Sequence, residues 1–418
     1  MKLIVFLIAL FSICNSYAQM YEKGQLIVEF KHKADIRSFI QKYSIIETLP
    51  THLKISEKLI PNMNYYILEF DKNISELDFL NYIDNDKDIK LVQINHKLSL
   101  RSTIPNDPQF PTQWQYVNTG QGGGTIGMDL DADQAWDLST GGLTVANDTI
   151  VVAVIDDGAN INHPDLQQNI WTNWREIPNN NLDDDNNGYI DDYLGWNTNT
   201  LDDNVNLNGA GPHGTAVSGI IGAVGNNNIG VSGVNWKVKL MLIRNNFNTT
   251  EANVLASYGY ALTQRKKYNE TNGREGSFVV VTNASWGVDN AFPAQAPIWC
   301  SFYDSLGKYG ILNVASTTNN NVNVDIQGDL PTTCPSDYLI GVTNLNRFGT
   351  RNGGFGQQNI DLGAFGDGVF TLNFNNYASF GGTSAATPHV SGTVALAYAA
   401  ACGEFMSLSR LYPNQAAL

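Results

Sequence analysis

Hydrophobic positions along the chain follow two regimes. Between residues 21 and 100 they alternate or cluster in short stretches. Gln25–Phe30, Tyr65–Phe70 and Ile89–Asn95 read as strands, and Asp35–Tyr43 and Ser75–Ile83 as helices, the first opening on an acidic cap. Strand, helix, strand, helix, strand in about eighty residues predicts a small α+β domain. From about residue 110 onward the apolar positions instead form continuous blocks bounded by Gly, Asp or Asn: Ile150–Ile155, Val238–Ile243, Phe278–Val281, Ile311–Ala315 and Leu339–Val342. Such blocks suit strands buried on both faces of a parallel sheet. Helical segments at His213–Val224, Thr250–Tyr268 and Ser384–Ala401 lie between or after them. The expected fold is α/β: helices on both faces of a mostly parallel central sheet, with chemistry in the loops at the strand ends. Pro105 and Pro108, in a polar connection, mark the boundary between the two regimes.

The first twenty residues stand apart. Lys2, an apolar run from Leu3 to Ile13, and a small-residue stretch ending at Ala18 predict a signal peptide over 1–18 and a secreted product. The run is too short for a stable membrane anchor. Bulky Ile13 disfavours lipid modification of Cys14. With 418 residues the rest has room for two or three domains, and 43% hydrophobic residues supply a large core. Lys and Arg number 25 against 40 Asp and Glu, a net charge of −15. No basic cluster interrupts this acidity, which argues against nucleic acid as a partner. Cys300, Cys334 and Cys402 remain beyond the signal peptide, so at most one internal disulfide forms; Cys300–Cys334 is the nearest pair, and spacing alone does not establish it.

Three polar residues occupy distinctive settings. Asp156 ends the apolar run Ile150–Ile155 and is followed by Asp157-Gly158. His213 lies in Gly211-Pro212-His213-Gly214-Thr215, at the opening of a small-residue helix. Ser384 follows Gly381-Gly382-Thr383 and starts the helix Ala385-Ala386-Thr387-Pro388-His389-Val390-Ser391-Gly392. Taken singly, each also fits an ordinary role: a turn acid, a capping or surface histidine, an N-cap hydroxyl. Together they supply a carboxylate on a rigid strand end, a base that titrates near neutral pH, and a hydroxyl at a helix N-terminus that favours developing negative charge.

In order and local sequence these segments resemble the three signatures of the subtilisin-like serine proteases, the subtilases. The resemblance covers roughly residues 105–418. It implies a subtilisin-like three-layer fold and a serine endopeptidase acting on proteins or peptides, with Ser384 as nucleophile, His213 as base and Asp156 as its acid. His389 has no role as base under it. Asn319, after Gly310–Thr318, matches the side-chain donor of the oxyanion hole, with Thr318 where the family has Gly. Ala284-Ser285-Trp286-Gly287 resembles the substrate-lining strand, so Ser285, Trp286 and Gly287 are the expected substrate contacts. Residues 19–102 are placed like the family's propeptide, an intramolecular inhibitor and folding aid, with cleavage between His96 and Asn106; residues 103–418 form the peptidase domain. Only 34 residues follow Ser384, fewer than the family usually has, so either a fragment or a C-terminally shortened domain is expected. The alternative is a degenerate subtilase acting as a calcium-stabilised binding protein; an esterase or ligase would share the triad.

Asn181–Asp192 packs five carboxylates into a short loop. That charge must be solvated or neutralised. Asp183, Asp185 and Asn187 alternate, Gly188 permits a sharp turn, and Asp191 or Asp192 closes the set, as in the first half of an EF-hand-type loop. The expected occupant is a structural Ca²⁺; a solvated acidic turn is the other reading.

Overall fold

The computed structural model describes residues 21–46, 48–96, 102–206, 212–246 and 249–418. The expected signal peptide, Cys14, Gly211 and part of the expected cleavage segment lie outside them. The chain forms two compact units, one up to Arg101 and one from Ser102.

The first unit contains β1 (Tyr21–Phe30), α1 (Ile36–Lys42), β2 (Lys54–Lys58), β3 (Tyr65–Glu69), α2 (Glu76–Ile83) and β4 (Ile89–His96). The strands make one antiparallel sheet in the order β2-β3-β1-β4. Leu26, Val28, Phe30 and Leu68 from the strands enclose one core with Phe39, Phe79 and Ile83 from the helices. The caps are local: Asp35 accepts from Ser38 N at 3.1 Å and Ser75 from Asp78 N at 3.4 Å. The pattern reading omits β2, because Lys54-Ile55-Ser56-Glu57-Lys58 is an edge strand whose charged, exposed residues guard an open sheet edge.

The second unit contains β5 (Ile150–Asp156), β6 (Trp196–Asn197), α3 (His213–Gly222), β7 (Lys239–Arg244), α4 (Glu251–Thr271), β8 (Phe278–Ala284), β9 (Val288–Asp289), α5 (Pro297–Lys308), β10 (Leu312–Ser316), β11 (Asp329–Leu330), β12 (Leu339–Leu345), β13 (Leu362–Phe365), β14 (Val369–Leu372), β15 (Tyr377–Phe380), α6 (Thr383–Ala400) and α7 (Gly403–Leu411). Seven strands form a parallel sheet in the order β13-β12-β10-β8-β5-β7-β6. Side chains of a strand point alternately to its two faces. Ile150, Val152 and Val154 accordingly join Val217, Ile221 and Val390 of α3 and α6. Val151, Ala153 and Ile155 join Tyr258 and Ala261 of α4 and Trp299 and Tyr303 of α5. Both faces of β5 are buried, which explains its unbroken apolar sequence. Cys300 of α5 and Cys334 are joined in a disulfide, 34 residues apart; by loop-closure entropy such a crosslink contributes about 4 kcal/mol.

Candidate active site

Strand β5 delivers Asp156 as its last residue at the carboxyl edge of the sheet, 2% exposed. Its Oδ1 lies 2.8 Å from His213 Nδ1 and also accepts Asp157 N–H at 2.9 Å. His213 is the first residue of α3. The glycine after it is required by packing: a Cβ on Gly214 would meet Gly158 O at 2.1 Å. Gly214 N–H donates to Asp157 Oδ1 at 2.9 Å, so the two acids hold both the imidazole and the start of its helix. Burial pulls the His213 pKa down, but the charge and hydrogen bond of Asp156 outweigh it, and the net shift is upward from 6.5. Burial, with the charge of Asp156, pushes the Asp157 carboxyl up to about 7.

The neighbouring strand β8 runs parallel to β5 with Ala284 opposite Ile155. Ser285, one residue on, therefore sits at the same edge as Asp156. Ser384 and Ser285 are cross-linked: Ser384 Oγ donates to Ser285 O at 2.9 Å, and Ser285 Oγ donates to Ser384 O at 3.0 Å. The second bond has a cause in α6. Pro388 has no N–H to give to the carbonyl four residues back, so Ser384 O is open to Ser285. Asn283 extends the clamp, donating to Ser285 Oγ at 3.0 Å and accepting from Ser391 Oγ at 2.9 Å. The turn into α6 needs Gly382. Its φ of 88° and ψ of −178° lie in a region essentially restricted to glycine, and a Cβ there would stand 2.7 Å from Asn319 Oδ1.

Asn319 Oδ1 accepts from Thr383 N at 2.9 Å and from Thr383 Oγ1 at 3.1 Å. With the carbonyl end held by Thr383, the amide NH₂ is left to donate elsewhere. Ala385 and Ala386 N–H both donate to Gly382 O. Among the described residues, Ser384 N–H is thus the one amide of the first four in α6 without an acceptor. An uncommitted backbone N–H at a helix N-terminus, with a side-chain amide alongside, suits an oxyanion. Thr318 adopts no positive φ, so its departure from Gly costs no backbone strain. His389 is fully buried and donates through Nδ1 to Ala385 O at 2.8 Å, and burial lowers its pKa to about 4; it is a core residue.

Beside Ser384 opens a cavity of about 230 Å³, walled by Ser285, Trp286 and Gly287 on one side and by Thr317, Thr318 and Asn319 on the other. Ser285, Trp286 and Gly287, the three expected substrate contacts, thus line the same space as Ser384. Reading the sequence missed Asp329 at this cavity, since nothing in Gly328-Asp329-Leu330-Pro331 separates it from an ordinary turn acid.

In the acidic loop, Asp183 and Asp185 meet Glu176, with ligand atoms all within 4.8 Å of one another. Glu176 lies ahead of the loop and was not foreseen. Asp191 instead accepts from the backbone of Asn180 at 3.0 Å and Asn181 at 2.8 Å. Asp192 is fully buried and takes donors from Asn173, Asn187, Tyr260 and Gln264. Asn187 Oδ1 accepts from Tyr189 N at 2.7 Å. Lys267 Nζ, 3.3 Å from Asp185 Oδ1, offsets part of the charge. Glu176 Oε2 is buried and has no hydrogen-bond partner among the described residues. Burial first, then the charges of Asp192, Asp185 and Asp184, raise its pKa to about 6. An orphaned carboxylate oxygen among acids fits a hard cation.

A family model described as Subtilase family matches residues 147–409, more than half of the chain. The chain is 30% identical over 332 residues to a protein named Subtilisin-like protease 1 from Plasmodium berghei, covering 72% of this chain and 49% of that one. It is 28% identical over 340 residues to a protein named Extracellular protease from Xanthomonas campestris, covering 74% and 52%. The chain thus spans about half the length of these relatives. Among solved structures, the epidermin leader peptide processing serine protease of Staphylococcus aureus aligns with a TM-score of 0.51 at 21% identity, over 94% of this chain and 91% of that one. The serine protease of Aeromonas sobria aligns with a TM-score of 0.54 at 22% identity, over 76% and 57%. At such identities the likeness establishes the three-layer α/β fold.

Proposed function

From the premise that this chain belongs to the subtilase family, we propose that it is a secreted serine endopeptidase whose catalytic groups are Ser384, His213 and Asp156. The observation that carries this reading is the 2.8 Å bond between His213 Nδ1 and the buried Asp156, at the sheet edge where Ser384 is held. Ser384 Oγ attacks a peptide carbonyl as His213 Nε2 takes its proton. The oxyanion forms against Ser384 N–H and the Asn319 amide. Collapse breaks the C–N bond, His213 returns the proton to the leaving amine, and an acyl-enzyme remains. Water, deprotonated by His213, then attacks the acyl carbon and frees Ser384. Asp156 keeps the imidazole in one tautomer and stabilises its cation. A fluorophosphonate probe should label Ser384 and abolish casein hydrolysis; an active protein that resists labelling there would contradict the reading.

The neutral imidazole is the base, so an upward-shifted His213 pKa places the base form at higher pH. The rising limb of kcat/KM should have its midpoint above 6.5, the ordinary imidazole value. A midpoint at or below that value would show that Asp156 does not outweigh burial.

The first unit serves in this reading as a propeptide, cut between His96 and Asn106, and export follows from the signal peptide at 1–18. No helix among the described residues is long and apolar enough to cross a membrane. Glu176, Asp183 and Asp185 would hold a Ca²⁺, which would stabilise the loop and take no part in hydrolysis. An ion present at 100 times its Kd adds about 2.7 kcal/mol. EGTA should therefore lower the melting temperature by several degrees, and Glu176→Gln should remove part of that difference. An unchanged melting curve would leave the cluster as a solvated turn.

A further inference from the structure

The cavity beside Ser384 has an unusual floor. Asp329, in the short strand β11, borders it and is 0% exposed. One oxygen, Oδ2, is saturated: it accepts from Thr332 Oγ1 at 2.5 Å, Thr317 Oγ1 at 2.8 Å and Thr318 N at 3.2 Å. The other, Oδ1, is buried and has no hydrogen-bond partner among the described residues. The three donors on Oδ2 fix the orientation of the carboxylate, so Oδ1 cannot turn to share them. Leaving such an oxygen unpaired is costly. Asp289, the strand partner of Asp329 across β9 and β11, adds a second carboxylate at the exposed rim. Among the described residues, these two acids are the only charged ones lining the cavity.

The same cavity is lined by Ser384 and Asn319. A substrate residue whose carbonyl lies between Ser384 and Asn319 would have its side chain within reach of this cavity. We propose that Asp329, with Asp289 at the rim, makes this cavity a subsite for a positively charged side chain, so that the bond cleaved follows lysine or arginine. This deepens the peptidase reading and rests on it. A lysine or arginine head carries donors and no acceptor, matching an unsatisfied carboxylate oxygen. Its apolar stem would lie between the chain segments at Ser285–Gly287 and Thr317–Asn319. Burial pushes the Asp329 carboxyl up to about 6 against the hydrogen bonds it accepts, with Asp289 adding to the rise. A cation in the cavity relieves both the burial and the repulsion. An apolar side chain would instead seal the oxygen off unpaired, and an acidic one would add a third negative charge.

The test profiles the secreted product of the full chain on a peptide library varied only at the residue preceding the cleaved bond. Lysine or arginine there should exceed leucine, phenylalanine and glutamate in kcat/KM by about 10²-fold, the size expected when a mismatched side chain leaves a buried carboxylate oxygen unsatisfied. Asp329→Asn should reduce the arginine-to-leucine ratio by at least tenfold. Asp289→Asn, at an exposed position whose carboxylate accepts from Asn320 Nδ2 at 3.0 Å, should reduce it by a smaller factor; this variant and the wild-type profile decide the matter if the buried substitution does not fold. A protein that labels with fluorophosphonate at Ser384 yet prefers apolar residues would overturn this inference and leave the peptidase reading intact. An unchanged ratio in Asp329→Asn would also overturn it. A protein that neither labels nor cleaves any peptide would remove both.

Discussion

Replacing Ser384 with alanine is expected to lower peptide hydrolysis by about 10⁶-fold, the usual cost of losing a triad nucleophile. The residue left behind still presents its N–H beside Asn319, so a small background rate over water remains. The fold should survive. Ser384 is half-buried, and its hydroxyl makes one hydrogen bond, to Ser285 O, worth about 1 kcal/mol. The reciprocal bond from Ser285 Oγ to Ser384 O involves the backbone carbonyl and persists. Unfolding curves of the variant should therefore overlay the parent within a few degrees while casein turnover and fluorophosphonate labelling vanish. If the first unit is a propeptide removed by this active site, the variant should also keep it attached. A variant that retains casein hydrolysis at more than a thousandth of the parent rate would end the assignment of Ser384.

The second large effect concerns Asn319. Removing one oxyanion donor typically costs 10²–10³ in kcat with little change in KM. Asn319→Ala should fall in that range. The side chain has a second job, however, since Oδ1 accepts both donors of Thr383 at the start of α6. Alanine removes both roles. Aspartate separates them: it keeps an acceptor for Thr383 but replaces the NH₂ donor with an anion. If Asn319 acts as an oxyanion donor, Asn319→Asp should be at least as impaired as Asn319→Ala. Recovery of most activity in the aspartate variant would show that it only positions the helix.

Much of this architecture was legible before the fold was seen. The blocks Ile150–Ile155, Phe278–Val281 and Leu339–Val342 coincide with central strands, because residues buried on both faces have no polar alternation to hide them. Asp156, His213 and Ser384 stood out because each lies in a run of small residues that close backbone approach requires, as Gly214 and Gly382 show. The edge strand Lys54–Lys58 was hidden by the charges that protect it. Helix α5 was hidden by Pro297 and by a mixed sequence whose apolar side, Trp299, Tyr303 and Leu306, is defined only against the sheet. In the acidic loop, alternation suggested one ligand set. The fold groups Glu176 with Asp183 and Asp185 and gives the carboxylate of Asp191 to backbone amides.

Local order in the chain thus determined the strands, the helix starts and the settings of Asp156, His213 and Ser384, since those follow from burial period and from residues that only certain backbone shapes tolerate. Which oxygen stays unpaired is another matter. The Ser285–Ser384 clamp joins residues 99 positions apart, Asp329 is brought beside Asp289 by strand pairing, and Glu176 meets Asp183 and Asp185 only through the folding of the loop. Only tertiary packing decides them, because desolvation and hydrogen-bond satisfaction are properties of a place in the folded molecule and leave no periodic mark on the chain.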